Sequence, residues 1–354
     1  MKILITGICG FVGAALAKEL RAHMECEILG IDNLIRPGSH LNRVALPKLG
    51  INVLHGDIRC ASDIEVLPRV DWVIDAAANP SVLAGIDGKA SSRQLLDHNL
   101  LGTLNLLEYC KTHGTGLVIL STSRVYSIPP LAALPLKEAA GAYHLDENAS
   151  MPPGVSAAGV TEDFSTAPPV SLYGASKLCS EVLALEYSQT FDFPVWIDRC
   201  GVMAGPGQFG RADQGIFSFW IHSWLARRPL KYIGFNGSGA QVRDALHVSD
   251  LAALLRKQLA APGGAARRVI NVAGGAANST SLCRLSAWCK EHLGEHSVAS
   301  SAESRKFDVP WLILDSARAA NLWDWSPKVS LDAILEEIAG HARQNPNWLD
   351  LTAA

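Results

Sequence analysis

The chain has 354 residues, of which 48% are hydrophobic and 18% charged, and its formal net charge is -3. That is enough for one large domain or two tightly joined ones with a sizeable core; it excludes a disordered chain and a basic surface for nucleic acid. No run reaches the ~18 apolar residues of a membrane-spanning helix, and "MKILITG" passes straight into a strand pattern with no signal segment, so a cytoplasmic protein without a membrane partner is expected.

Taken in order, "KILITG" (2–7), "CEILGID" (26–32), "INVLHGD" (51–57), "DWVIDAA" (71–77) and "GLVILST" (116–122) are short apolar runs of buried-strand type. "FVGAALAKELRAH" (11–23) and "SRQLLDHNLLGTLNLLEYCKTH" (92–113) between them are amphipathic helices. Strand and helix in alternation predict an α/β fold with a parallel sheet covered on both faces. Further strands are expected near 195–203 and 268–275. The boundaries that follow are a first domain over 1–180, to which those two later strands return, and a smaller lobe over most of 204–354. Residues 128–170, rich in Ala, Pro, Gly and Ser, break the rhythm and are expected as a lid or insertion. The eight cysteines, at 9, 26, 60, 110, 179, 200, 283 and 289, form no Cys-x-x-Cys pair and no metal spacing with the histidines. Reduced thiols, no disulfide and no metal are expected.

Chemistry concentrates at three places. In "ITGICGFVG" the glycines Gly7, Gly10 and Gly13, with Phe11 and Val12 between them, join a strand to a helix. Bare backbone there lets a pyrophosphate approach free N–H groups and the positive end of the helix dipole, the mark of a Rossmann-type doubly wound sheet; a tight structural turn is the alternative. Asp32, nineteen residues after Gly13, ends the second strand where a carboxylate would accept from an adenosine ribose diol, favouring NAD over NADP. Asn33 adjoins it, and Arg36 lies near enough to weaken that preference. Asp57 and Ile58 follow the third strand, near the adenine or as a plain strand-end turn. Third, Thr122 ends the fifth strand, and "YGASK" sets Tyr173 four residues before Lys177. A phenol beside an ammonium and a positive nicotinamide ring should ionise below its usual value of about 10, and could exchange a proton while a hydride moves.

With Gly7, Gly10 and Gly13, the segments "DAAANP" (75–80), "NLLGTLNLLE" (99–108), "STSRVY" (121–126) and "YGASK" (173–177) resemble the extended short-chain dehydrogenase/reductase family, and its nucleotide-sugar epimerases above all. The resemblance covers almost the whole chain and is weakest at 128–165. It implies that Thr122, Tyr173 and Lys177 are catalytic, that Ala76, Ala77 and Ala78 line NAD, and that Asn99 lies under it. "GFNGSGAQVRDALHVSDL" (234–251) resembles the nucleotide-sugar signature, in which Arg243 would fork onto a diphosphate; a surface arginine paired with Asp244 is the alternative. Arg305 is a second diphosphate candidate, and His247 is expected as a packed structural residue. His144 and His222 have no evident partner. The family's 4,6-dehydratases carry an acidic pair after the threonine, where Ser123 and Arg124 stand here, which argues against dehydration. "GQFGRADQG" (207–215), with Gln208 and Gln214 as substrate contacts, is similar to the branch that epimerises CDP-paratose at C2, as are "GDIR" (56–59), "DNL" (32–34) and "WSPKVS" (325–330). The implied activity is an NAD-dependent epimerase of a nucleotide-diphosphate sugar, working through a transient ketosugar, in a homodimer. A 4-epimerase, an NAD(P)-dependent reductase of a nucleotide sugar, and a dinucleotide-binding sensor without chemistry are the rivals.

Overall fold

The structure, a computed structural model, describes residues 1–86, 88, 91–211, 214–261 and 268–352. Seven strands form the central sheet: β1 (Lys2–Thr6), β2 (Glu27–Asp32), β3 (Asn52–His55), β4 (Trp72–Asp75), β5 (Gly116–Thr122), β6 (Val195–Cys200) and β7 (Val269–Val272). Their order is β7-β6-β5-β4-β1-β2-β3, and every pairing is parallel. The chain therefore leaves β1 in one direction for β2 and β3 and in the other for β4 onward. The gap between β1 and β4 is the switch point where such sheets bind ligands at the carboxyl ends of their strands. This is the Rossmann-type α/β sheet that the alternating elements predict.

β5 shows why the runs read as continuous apolar stretches rather than alternating ones. Every residue from Gly116 to Thr122 is buried. Successive side chains leave opposite faces: Val118 and Leu120 pack on the side of helix α1 (Phe11–His23), and Leu117 and Ile119 on the side of helices α2 (Gly102–His113) and α3 (Ser171–Phe191). Each such side chain contributes roughly 1.5–3 kcal/mol by leaving water. Gly30 and Gly116 mark close approaches, since a Cβ on Gly30 would lie 2.1 Å from the Ile8 side chain and one on Gly116 2.5 Å from the Trp72 ring.

The smaller lobe is built on Val242–His247, which pairs in parallel with Val202–Ala204 and Trp311–Leu312 and antiparallel with Ser279–Ser281. Helices Ile216–Leu225 and Leu331–Gln344 close it around Trp220, Trp224, Ile334 and Ile338. Residues 128–170 fold as a short helix and two small hairpins. These dock on the lobe through Tyr143 N to Ala240 O (2.9 Å) and Val160 N to Ile313 O (2.8 Å). Leu131, Val160 and Phe164 share a core with Val309 and Trp311. Among the described residues none from this segment lines the cleft described below; the segment packs on the lobe as an insertion. Among the described residues no helix is long and apolar enough to cross a membrane, and no group of His, Cys, Asp and Glu could hold a metal ion.

Candidate active site

A cleft of about 550 Å³ opens along the carboxyl ends of β1, β2, β4 and β5 and continues between the sheet and the smaller lobe. Its first wall is mostly main chain. Gly7 adopts φ +61°, and a Cβ there would meet Ala77 Cα at 2.9 Å. A Cβ on Gly13 would lie 2.3 Å from Gly7 O, so this glycine lets α1 start against the loop. Gly10 differs: its Cβ would meet Gly7 O at 3.1 Å, with no other described atom within 4 Å. The backbone at Gly10 thus faces open space at the first turn of α1, a cradle for a phosphate group. Phe11, Val12 and Gly13 also line the cleft.

Asp32 is buried and lines the same wall. Its carboxylate accepts from Cys9 N (2.9 Å) and Leu34 N (2.7 Å), so it shapes the glycine loop while keeping lone pairs for a ribose. Burial pushes its pKa up against those hydrogen bonds. Asn33 lines the cleft and donates to Asp57. Arg59 clamps that carboxylate through Nε at 2.9 Å. Burial pushes Asp57 up, but the hydrogen bonds from Arg59 and Asn33 hold it well below the usual carboxylate range. Asp57 is not among the described lining residues, whereas Ile58 is. Arg36 is committed to the opposite wall, donating to Gln214 Oε1 (2.8 Å) and Phe209 O (3.3 Å). Those bonds draw it away from the 2′-phosphate role that would have favoured NADP.

Ala76, Ala77 and Ala78 line the cleft after β4. Thr6 Oγ1 donates to Asp75 Oδ1 (2.7 Å) and accepts from Ala77 N (3.1 Å), which fixes their path. Asn99 is a bracket rather than a lining residue. It accepts from Asn79 N (2.8 Å), donates to Asn79 O and Ser176 Oγ, and sits in a π-turn over Asp97–Leu101.

Tyr173 and Thr122 both line the cleft floor, and the Thr122 side chain favours the ionised phenol. Gly174 makes this possible, since a Cβ there would lie 2.2 Å from Arg124 O. α3 is held in place by Glu181, which accepts from Ser121 Oγ and pairs with buried Arg199 at 2.7 Å. That network is invisible to local sequence patterns, because its members lie on three elements. Lys177 is 1% exposed, and among the described residues no hydrogen bond reaches its ammonium. Lys177 is not among the described residues that line the cleft, whereas Thr122 and Tyr173 are.

The electrostatics differ from the sequence expectation. Burial raises the Tyr173 pKa, while the Thr122 side chain and the Arg124 charge pull it down against Cys200. Arg124, whose guanidinium donates to Phe307 O (3.2 Å), lines the cleft together with Tyr173.

The second wall is made of side chains. Arg243 donates to Asp308 Oδ1 (3.1 Å) and Val309 O (2.8 Å) and lines the cleft with Arg305. Asp244, the alternative partner, is buried and accepts from Leu314 N instead. Burial lowers the Arg243 pKa although Asp308 opposes it. Gln208 and Gln214 line the cleft, but Gln208 Nε2 donates to Met203 O (2.8 Å) and Gln214 receives Arg36. Ala212 and Asp213 of the same segment lie outside the described residues. His247 caps the helix Val248–Ala260 through Ser249 N and lies off the cleft. His144 meets Arg284 (2.8 Å) and His222 meets His341 (3.4 Å), partners that sequence spacing could not show.

Known proteins are similar to this chain over most of its length. The profile of the family described as Epimerase, NAD dependent epimerase/dehydratase, matches residues 3–273. A CDP-paratose 2-epimerase of Salmonella typhi is 29% identical over 93% of this chain and 96% of its own length. A UDP-glucuronate 4-epimerase of Thermodesulfobacterium geofontis is 26% identical over 97% and 96%. Among solved structures, the UDP-glucuronic acid 4-epimerase of Bacillus cereus in complex with UDP-glucuronic acid and NAD superposes with a TM-score of 0.77 at 27% identity, covering 97% of this chain and 99% of that one.

Proposed function

The chain belongs to the NAD dependent epimerase/dehydratase family, and on that premise we propose that it epimerises a nucleotide-diphosphate sugar at C2, on a substrate of the CDP-paratose type. The observation that carries the reading is the continuity of one cleft. It joins the glycine loop and Asp32, through the Thr122–Tyr173 pair, to Arg243 and Arg305. A dinucleotide on one wall and a sugar diphosphate on the other would bring their reactive ends together at the phenol.

NAD held on the first wall would supply a hydride acceptor and donor. Tyr173, as phenolate, would accept the proton of a sugar hydroxyl whose carbon is oxidised to a ketone, and would give it back when the ketone is reduced from its opposite face, so that no net oxidation would remain. Thr122 would hold the oxygen at the phenol. Ser123 and Arg124, following Thr122 in place of an acidic pair, offer no acid for eliminating water. Arg243 and Arg305 would hold the diphosphate, for which a planar guanidinium is suited.

A 4-epimerase is the second reading, favoured by the likeness to UDP-glucuronate enzymes. The deciding experiment incubates the protein with CDP-, UDP-, dTDP- and GDP-sugars deuterated at C2 or C4. Label retained at an inverting C2 supports the proposal, retention at an inverting C4 replaces it with the second reading, and solvent hydrogen entering the carbon removes the hydride mechanism. Tyr173→Phe should lower turnover by about 10²–10⁴-fold while leaving bound NAD unchanged; full turnover in that variant would end the catalytic assignment. Leu172, Val182 and Phe191 of α3 and Leu101 before α2 are exposed, and we propose a homodimer through these helices, to be checked by light scattering.

A further inference from the structure

The two walls of the cleft are bridged beside Asp32. That carboxylate turns the chain after β2 by accepting from Leu34 N (2.7 Å), and Arg36 follows two residues later. The Arg36 guanidinium reaches across to the segment 207–215. Its Nη1 donates to Gln214 Oε1 (2.8 Å) and its Nη2 to Phe209 O (3.3 Å). Arg36, Phe209 and Gln214 all line the cleft, as Asp32 does, so the bridge borders the site rather than lying behind it.

Both ends of the bridge are anchored. Gln214 sits in a tight turn closed by Arg211 N to Gln214 O (2.6 Å) and Gln214 N to Arg211 O (3.1 Å). Phe209 is buried with its ring 5.8 Å from that of Trp348, whose Nε1 donates to Gln208 O (2.9 Å). On the other side Gly38 adopts φ +93°, and a Cβ there would lie 2.7 Å from Thr352 Cγ2 and 3.1 Å from the Phe209 ring. The turn after β2 therefore packs closely on the lobe. Between these two anchored loops Arg36 is a long side chain bound by charge-assisted hydrogen bonds, which can break and re-form without moving either anchor. Resting on the reading above, in which one dinucleotide serves both hydride steps, we propose that Arg36 and Gln214 form a clasp that closes the adenosine end of the dinucleotide site and retains the cofactor. Asp32, the residue suited to the ribose, stands four positions before Arg36, so a dinucleotide on that wall would have the clasp beside its adenosine half. The clasp joins a charge to a neutral amide. One substitution at Gln214 can therefore loosen it, as leucine, or tighten it, as glutamate.

The test loads the full chain with NADH, chases it with excess NAD, and reads release from the loss of NADH fluorescence with no sugar present. Gln214→Leu and Arg36→Met should each speed release by about tenfold or more, as expected for losing a hydrogen bond to a charged group. The double variant should release no faster than Arg36→Met alone, because the two side chains act through one contact. Gln214→Glu should release more slowly than wild type, since the acceptor gains a full charge. Wild-type release rates in both single variants overturn the proposal, as do additive effects in the double variant. Equal acceleration by leucine and by glutamate also overturns it, because that would mark Gln214 as packing alone. Should the leucine and methionine variants lose Tm, the glutamate variant decides by itself: slower release supports the clasp, and unchanged or faster release overturns it. The measurement is separate from the labelled-substrate panel. Release governed by the clasp in a protein that epimerises nothing would end the proposed function and leave this one standing. An active epimerase whose release ignores the clasp would do the reverse.

Discussion

The two walls of the cleft are built by different means. The dinucleotide wall is backbone: Gly7, Gly10 and Gly13, the strand-end carboxylate of Asp32, and the alanines after β4. The sugar wall is side chain: Arg243, Arg305 and Gln208, brought from separate loops and held by Asp308, Val309 and Met203. Where a backbone wall packs against itself, as at Gly13, it tolerates no added atom, because main chain cannot step aside. A side-chain wall can exchange its residues and so change its ligand. The family's shared cofactor and varied sugars are what such a division would allow.

Gly13→Ala is the strongest way to break the first wall. Its Cβ would stand 2.3 Å from Gly7 O and 2.8 Å from Ile8 Cα, both main-chain atoms. Overpacking of this kind costs typically 1–3 kcal/mol. The variant should lose thermal stability by several degrees and purify without NAD, both read by calorimetry and cofactor content. Gly10→Ala sharpens the contrast. It meets one protein atom at 3.1 Å, so it should keep a near-wild-type Tm while losing NAD affinity. If both variants lost stability alike, the distinction between a packing glycine and a phosphate-facing one would be wrong.

Arg243→Gln attacks the second wall and should leave the first intact. Hydrogen bonds to charged groups contribute about 1.5–3 kcal/mol, so KM for the nucleotide sugar should rise about tenfold or more with NAD content unchanged. A fall in kcat at constant KM would instead place Arg243 in the chemistry.

The same division explains what could be read in the sequence. Backbone recognition leaves a local trace: glycines at fixed spacing after a strand, a carboxylate one strand later, and a tyrosine and a lysine one helical turn apart. The sheet was legible because its buried strands are continuous apolar runs. The side-chain wall leaves no local trace. Phe307 O lies 183 residues from the Arg124 guanidinium it receives, and Arg36 reaches Gln214 across 178. The Tyr173–Lys177 spacing was legible because both residues lie on one helix, a turn apart. Residues 128–170 carry loop composition because small hairpins and turns need Gly, Pro and Ser whether or not they cover a site.

The smallest expected effect separates the walls by pH. The sugar lobe holds an imidazole pair, buried His222 and half-buried His341, at 3.4 Å. Burial first, then His341 and Arg228, lower the His222 pKa from 6.5 to about 4. The unfolded chain therefore binds a proton that the folded chain refuses between those two values. Stability at this site is complete above pH 6.5 and is lost as pH falls toward 4, by on the order of 1–3 kcal/mol. Neither His222 nor His341 lines the cleft, whose described lining histidine is His98, so acid acting through this pair should loosen the lobe without loosening the cofactor. Wild-type Tm should decline between pH 7 and pH 5, and His222→Gln should flatten that decline while leaving the pH dependence of NAD affinity unchanged. Parallel Tm profiles for the two proteins would show that the imidazole pair does not set the acid sensitivity of the lobe.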